Sequence, residues 1–153
     1  MRTLPRHLLL AAVVLTVCCA ERQATLNFDI SQMAAELARQ DMSEAFGNKR
    51  LKPGQYLWRD VPAKGAARVV VNLGDQLAFL YKGDTLVAVS TISSGKRGKE
   101  TPLGLWSVLQ KKKIHHSRKY DDAPMPYMQR IDEYGIALHG GKLPGFPASH
   151  GCI

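Results

Sequence analysis

Ser149-His150-Gly151-Cys152 sets a hydroxyl, an imidazole and a thiol within four positions, and His139 stands thirteen residues before Cys152. A cysteine is only slightly ionised at neutral pH, and a neighbouring imidazole that stabilises its thiolate makes it a competent nucleophile. The pair Cys152 and His139 therefore reads as nucleophilic acyl chemistry. Gly151, with no side chain, lets the main chain approach a substrate, so that amides near Cys152 donate to a developing oxyanion. Residue types and spacing leave two other readings open. In one, the histidine is satisfied by a carbonyl and the cysteine is merely core. In the other, His139, His150 and Cys152 hold zinc together with His115 or His116. Those ligand types suit the metal, but paired CxxC or HxxxH spacing is missing, and the expectation is that no metal is bound.

Cys152 is also the thiol expected to survive export. Cys18 and Cys19 fall at the end of a segment in which Arg2 and Arg6 precede an apolar run from Leu8 to Val17, with Ala20 before Glu21 as a cleavage point. That is the layout of a secretory signal, too short to span a bilayer, so residues 1–20 are expected to be removed and to leave no transmembrane span. The competing reading is lipid attachment at Cys18, since Leu15 takes the apolar place of a lipobox, although Val17 fits poorly before the cysteine. An unpaired thiol in an oxidising compartment is an intermolecular partner, a buried bystander or a reactive group.

The elements that must position these groups follow from the patterning. Asp29 precedes Ile30, Met33, Ala34 and Leu37 at helical spacing, with Gln32 three residues on as in a capping box. This predicts a short helix ending near Gly47 and packed on the main domain. Pro53, Gly54, Pro62 and Gly65 mark the stretch from Lys49 to Ala67 as loop, giving an N-terminal helix and linker over 21–66 and a domain over 67–153. Strands are predicted over Val69–Leu73, Gln76–Tyr81, Thr85–Ile92, Leu105–Gln110, Tyr127–Ile131 and Ile136–His139, with a turn at Lys82-Gly83-Asp84. Short strands at close spacing imply a mainly β sandwich or barrel. The loop from Ile114 to Pro126 is long enough to act as a lid. The 153 residues carry a formal charge of +8, of which Arg2 and Arg6 contribute two; the surplus favours acidic partners, and for an exported chain these are envelope polymers and not nucleic acid.

Beyond the cysteine turn, the order of Gln76-Leu77-Ala78-Phe79-Leu80-Tyr81, Ser94-Gly95-Lys96, Thr101-Pro102-Leu103-Gly104-Leu105-Trp106, Ala123-Pro124-Met125-Pro126-Tyr127 and His139-Gly140 resembles the L,D-transpeptidase catalytic domain, the YkuD type, of bacterial cell envelopes. The resemblance runs from about Val69 to the end. It implies a β-sandwich of mixed sheets, no cofactor, and a periplasmic or envelope location. It further implies that Cys152 attacks the third residue of a peptidoglycan stem peptide, with His139 as general base and the Gly140 carbonyl fixing its tautomer. The amides of His150, Gly151 and Cys152 would form the oxyanion hole. Ser149 is either a substrate contact or a turn hydroxyl, and Tyr127 either lines the donor groove or belongs to the core. The acyl acceptor is a second stem, water or an envelope lipoprotein. Because the family pattern continues past the cysteine with further strands, the domain over 67–153 is expected to be incomplete at its C-terminal end. A non-catalytic wall-binding module, or an inactive fragment of such an enzyme, is the alternative.

Overall fold

The structure, a computed structural model, describes the backbone of residues 6–153 and the side chains from residue 21 onward apart from those at 24, 27 and 28. Residues 1–5 of the expected signal segment and all its side chains, Cys18 and Cys19 included, lie outside the described residues. Helix α1 spans Arg6–Phe46. It is longer than the capping signal at Asp29 predicts, because no glycine or proline interrupts residues 6–46 and Glu21-Arg22-Gln23-Ala24 are all good helix formers. Asp29 consequently sits inside the helix. The helix stops at Gly47, whose φ of 74° lets its amide bond back to Ser43 O at 2.9 Å, a turn that a side chain would disfavour. Among the described residues no helix is long and apolar enough to cross a membrane.

Two sheets follow. In the first, β1 (Tyr56–Trp58), β2 (Ala67–Asn72), β3 (Leu77–Lys82) and β4 (Thr85–Thr91) pair antiparallel in the order β1-β4-β3-β2. Strand β1 arises inside the stretch expected to be loop: Tyr56-Leu57-Trp58 is too short and too close to Pro53 and Gly54 to stand out as a strand, yet it pairs with β4 over its whole length. The register sets Leu57, Val89, Phe79 and Val70 in one row across the sheet. That face receives Ala38 and Met42 of α1, so the helix docks as expected, and Phe79 and Val89 are 0% exposed. Tyr81 on the same face donates to Asp41 Oδ2 at 2.5 Å, while the Arg68 guanidinium lies 4.2 Å over its ring. Burial first, then the bond to Asp41 and its charge, push the phenol well above its ordinary pKa.

The second sheet contains β5 (Gln110–Lys112), β6 (Met128–Arg130) and β7 (Ala137–Leu138), again antiparallel. The mainly β expectation holds, and the parallel component is confined to local pairings. One is the isolated bridge between Gly95 and Ser149. The other brackets Ile153, whose amide donates to Ala137 O while His139 N donates to Ile153 O, both at 2.9 Å, the alternation of a parallel ladder. The strand predicted over Leu105–Gln110 is a correction: only Gln110 joins a ladder, no strand lies beside residues 105–108 among the described residues, and Leu105 is 76% exposed.

Candidate active site

Side chains alternate between the faces of a strand, so the register of the second sheet decides which groups meet. Gln110 lies opposite Arg130, and Arg130 opposite Ala137. The bonds that bracket Ile153 set it beside Leu138 and therefore Cys152 beside Ala137. His139, two residues after Ala137, points to that same face. Both reacting groups consequently line one cavity of about 750 Å³, together with Ser149, His150, Gly135, Arg130 and the loop 115–125. A smaller cavity of about 370 Å³ lies away from them, where the end of α1 meets Gly145 and Thr91.

The turn that carries Cys152 is held from the first sheet. Beyond β4, Ser94 O accepts the amides of Ala148 and Ser149 at 3.0 Å each, and Lys96 N donates to Ser149 O at 3.0 Å. Ser94 is itself fixed by Gln76, whose Oε1 accepts the Ser94 amide at 2.9 Å. Thr101 is buried, and its hydroxyl accepts from the Gly95 amide at 2.9 Å and donates to Gly151 O at 2.8 Å. Gly151 has φ of 114°, a backbone that strains any side chain, and a Cβ there would also push Ile136 Cδ1 aside. Ser149 makes the bonds of a turn hydroxyl: it donates to Cys152 O at 2.6 Å and accepts from the Gly151 amide at 3.1 Å. The Gly151 amide is thus engaged, which leaves the amides of His150 and Cys152 without a protein acceptor among the described residues and available as oxyanion donors.

His139 Nδ1 lies 2.9 Å from Gly140 O. A carbonyl only accepts, so Nδ1 carries the proton and Nε2 is the basic nitrogen. Cys152 packs against Met125, Met128 and Ala137, and its thiol reaches Gly135 O at 3.7 Å. Burial, foremost, raises the thiol pKa above its ordinary value; a main-chain bond at Ala137 opposes this, and the Asp132 carboxylate adds to it. Burial thus works against the thiolate, so that loss of the proton calls for a base.

Tyr127 is not part of the core: with φ of 55° it stands outside β6 and is 66% exposed, and it is not among the residues lining this cavity. The expected lid, residues 114–126, is a hairpin-like arm closed by Ser117 N to Ala123 O and Met125 N to His115 O, both near 2.9 Å. Its Tyr120 ring stacks on His150 with centroids 4.3 Å apart. His116 turns to Asp122 Oδ2 at 2.9 Å, and no group of three potential metal ligands occurs among the described residues. Sequence reasoning assigned no role to Thr101 or Tyr120. Both act through contacts with residues 50 and 30 positions away, which no local pattern announces.

The model of the YkuD family, the L,D-transpeptidase catalytic domain, matches residues 66–153. No curated protein matches the chain. Among solved structures, the L,D-transpeptidase (Yku) from Stackebrandtia nassauensis is 24% identical, with 75% of this chain and 54% of that one covered and a TM-score of 0.52. The L,D-transpeptidase from Xylanimonas cellulosilytica is 23% identical, with 74% and 55% covered and a TM-score of 0.52. At these identities the likeness is one of fold, and the chain spans about half the length of those proteins. With more than half of its residues matched by the family model, the chain belongs to the L,D-transpeptidase catalytic domain family of YkuD type.

Proposed function

We propose that the protein performs cysteine-dependent acyl transfer on peptidoglycan stem peptides in the cell envelope, where residues 1–20 direct its export. The observation that carries this reading is the common sheet face of Cys152 and His139, open to one cavity, with the imidazole tautomer fixed by Gly140 O. His139 Nε2 takes the thiol proton as sulfur bonds to the carbonyl carbon of the third stem residue. The amides of His150 and Cys152 receive the charge that develops on the carbonyl oxygen. Collapse of that intermediate breaks the bond to the terminal D-alanine, whose nitrogen leaves with the proton from His139, and a thioester remains on Cys152. The side-chain amine of a second stem then gives up a proton to His139 and displaces sulfur, forming a 3→3 cross-link. Water in its place trims the stem, and an envelope lipoprotein amine is a third acceptor. None of these steps calls on a cofactor.

Incubation with a tetrapeptide donor tests the reading. Release of D-alanine and a peptide-sized acyl adduct, both lost in Cys152→Ala, are expected. Binding to sacculi by a folded chain with no D-alanine release and no adduct would instead make the protein a wall-binding module.

A further inference from the structure

The register that sets Cys152 and His139 on one face also brings cations to that face. One row runs Gln110, Arg130, Ala137 and on to Cys152. In the next, Lys112 lies opposite Met128, and extending the β6–β7 register by one residue sets Met128 beside His139. Arg130 and Lys112 are therefore each two strand spacings, about 10 Å, from Cys152 and His139 respectively. The arm over 114–126 adds Arg118 and Lys119 to the same cavity, and its Tyr120–His150 stack ties it to the cysteine turn.

Acidic compensation is thin. Glu133 is the only carboxylate on the cavity wall among the described residues, with the buried Asp132 behind it near enough to act on Cys152, against Lys112, Arg118, Lys119 and Arg130. None of these four cations forms an ion pair among the described residues; Arg130 donates to the carbonyl of Asp132 at 2.8 Å, and Lys119 Nζ lies 5.7 Å from the Tyr120 ring centre. Asp122 of the arm is occupied by His116. His115, on the same wall, registers the unbalanced charge: lost hydration first, then Lys112, Arg118 and His116, hold its imidazole below the usual range.

We propose that this wall selects donor peptides by their free carboxylates and discriminates against stems in which those groups are amidated. The proposal rests on the function read above and names the form of substrate that the same site takes. A carboxylate meeting these side chains gains charge-assisted hydrogen bonds, roughly twice as strong as neutral ones. A carboxamide of the same shape keeps one accepting oxygen but has no charge, and it replaces the second oxygen with N–H donors facing groups that can only donate. A preference of roughly tenfold or more in kcat/KM is expected for each carboxylate engaged, narrowing as salt screens the wall.

The test compares two tetrapeptide donors with a diamino acid third and D-alanine fourth, one with its side carboxylates free and one with them converted to carboxamides. D-alanine release is measured at low and high salt, and binding of both peptides to Cys152→Ala is measured by calorimetry. The wild type should favour the free acid in both assays. The combined Lys112→Glu, Arg118→Glu, Lys119→Glu variant, altered only at exposed positions, should reverse the order. Circular dichroism checks its fold, and Arg118→Glu alone should already narrow the preference. Equal treatment of the two peptides by the wild type, or an unchanged order in the variants, overturns the proposal. Preferential binding of the acid without any turnover would leave the wall standing and remove the catalytic reading instead.

Discussion

Thr101 shows how a residue remote from the chemistry sets its geometry. Its buried hydroxyl bridges the Gly95 amide and the Gly151 carbonyl, and so holds the turn that aims the His150 and Cys152 amides. Thr101→Val keeps the volume but leaves a buried donor and acceptor unpaired, at a cost of about 1–3 kcal/mol. The variant should lose roughly tenfold or more in kcat with KM little changed, and Thr101→Ser should recover most of the loss. Loss in both variants alike would show that the methyl, and not the hydroxyl, matters. Cys152 gives a second prediction at this scale. Because burial raises its pKa above the ordinary 9.0, alkylation by iodoacetamide should be slow at neutral pH and still be climbing above pH 9. The sign for stability follows: the unfolded chain gives up its thiol proton first, so this contribution is full below pH 9 and lost as pH rises through the higher folded value. A plateau in alkylation below pH 8 would contradict the burial. At this scale the meeting of Cys152 and His139 at one cavity was legible, since reactive types near a Gly-rich turn stand out in the sequence. The turn bonds of Ser149 and the placement of Tyr127 were not: a hydroxyl is read only from its partners, and Tyr127 leaves its strand through a left-handed backbone that the β-propensity of tyrosine gives no hint of.

Among the elements, α1 gains its place through one face. Ala38 and Met42 cover Phe79 and Val89, and the Tyr81–Asp41 bond closes the contact. Tyr81→Phe leaves Asp41 beside an apolar ring and should destabilise the fold by about 1–2 kcal/mol in urea denaturation. An unchanged midpoint would mean that the bond contributes nothing net. Stability should also decline above about pH 10, since the unfolded chain releases the phenolic proton more readily than the folded one. Strands β2, β3 and β4 could be read because β-branched and aromatic runs are divided by glycine turns. Residues 105–109 look like a strand for the same reason, but a strand needs a neighbour, and only Leu109 N finds a ladder carbonyl, that of Arg130. Strand β1 failed in the opposite direction: three residues are enough where β4 already offers an edge.

At the level of the whole molecule, the proposed catalysis depends on two sheets acting together. The first anchors the cysteine turn through Gln76, Ser94 and Thr101; the second supplies His139 and the face on which Cys152 lies. Neither sheet alone assembles the pair, and this convergence was legible only through the joint order of motifs along the chain, because hydrogen bonds spanning 50 residues leave no periodic trace. The account's central claim is that sulfur and imidazole act as one unit. Acylation by a carbapenem, followed by intact mass, tests it most directly. The wild type should gain one drug-sized adduct on the peptide containing Cys152, Cys152→Ala should gain none, and His139→Ala should be acylated roughly 10²–10⁴ times more slowly. A folded wild-type chain that gains no adduct, or a His139→Ala variant acylated at the wild-type rate, would contradict it.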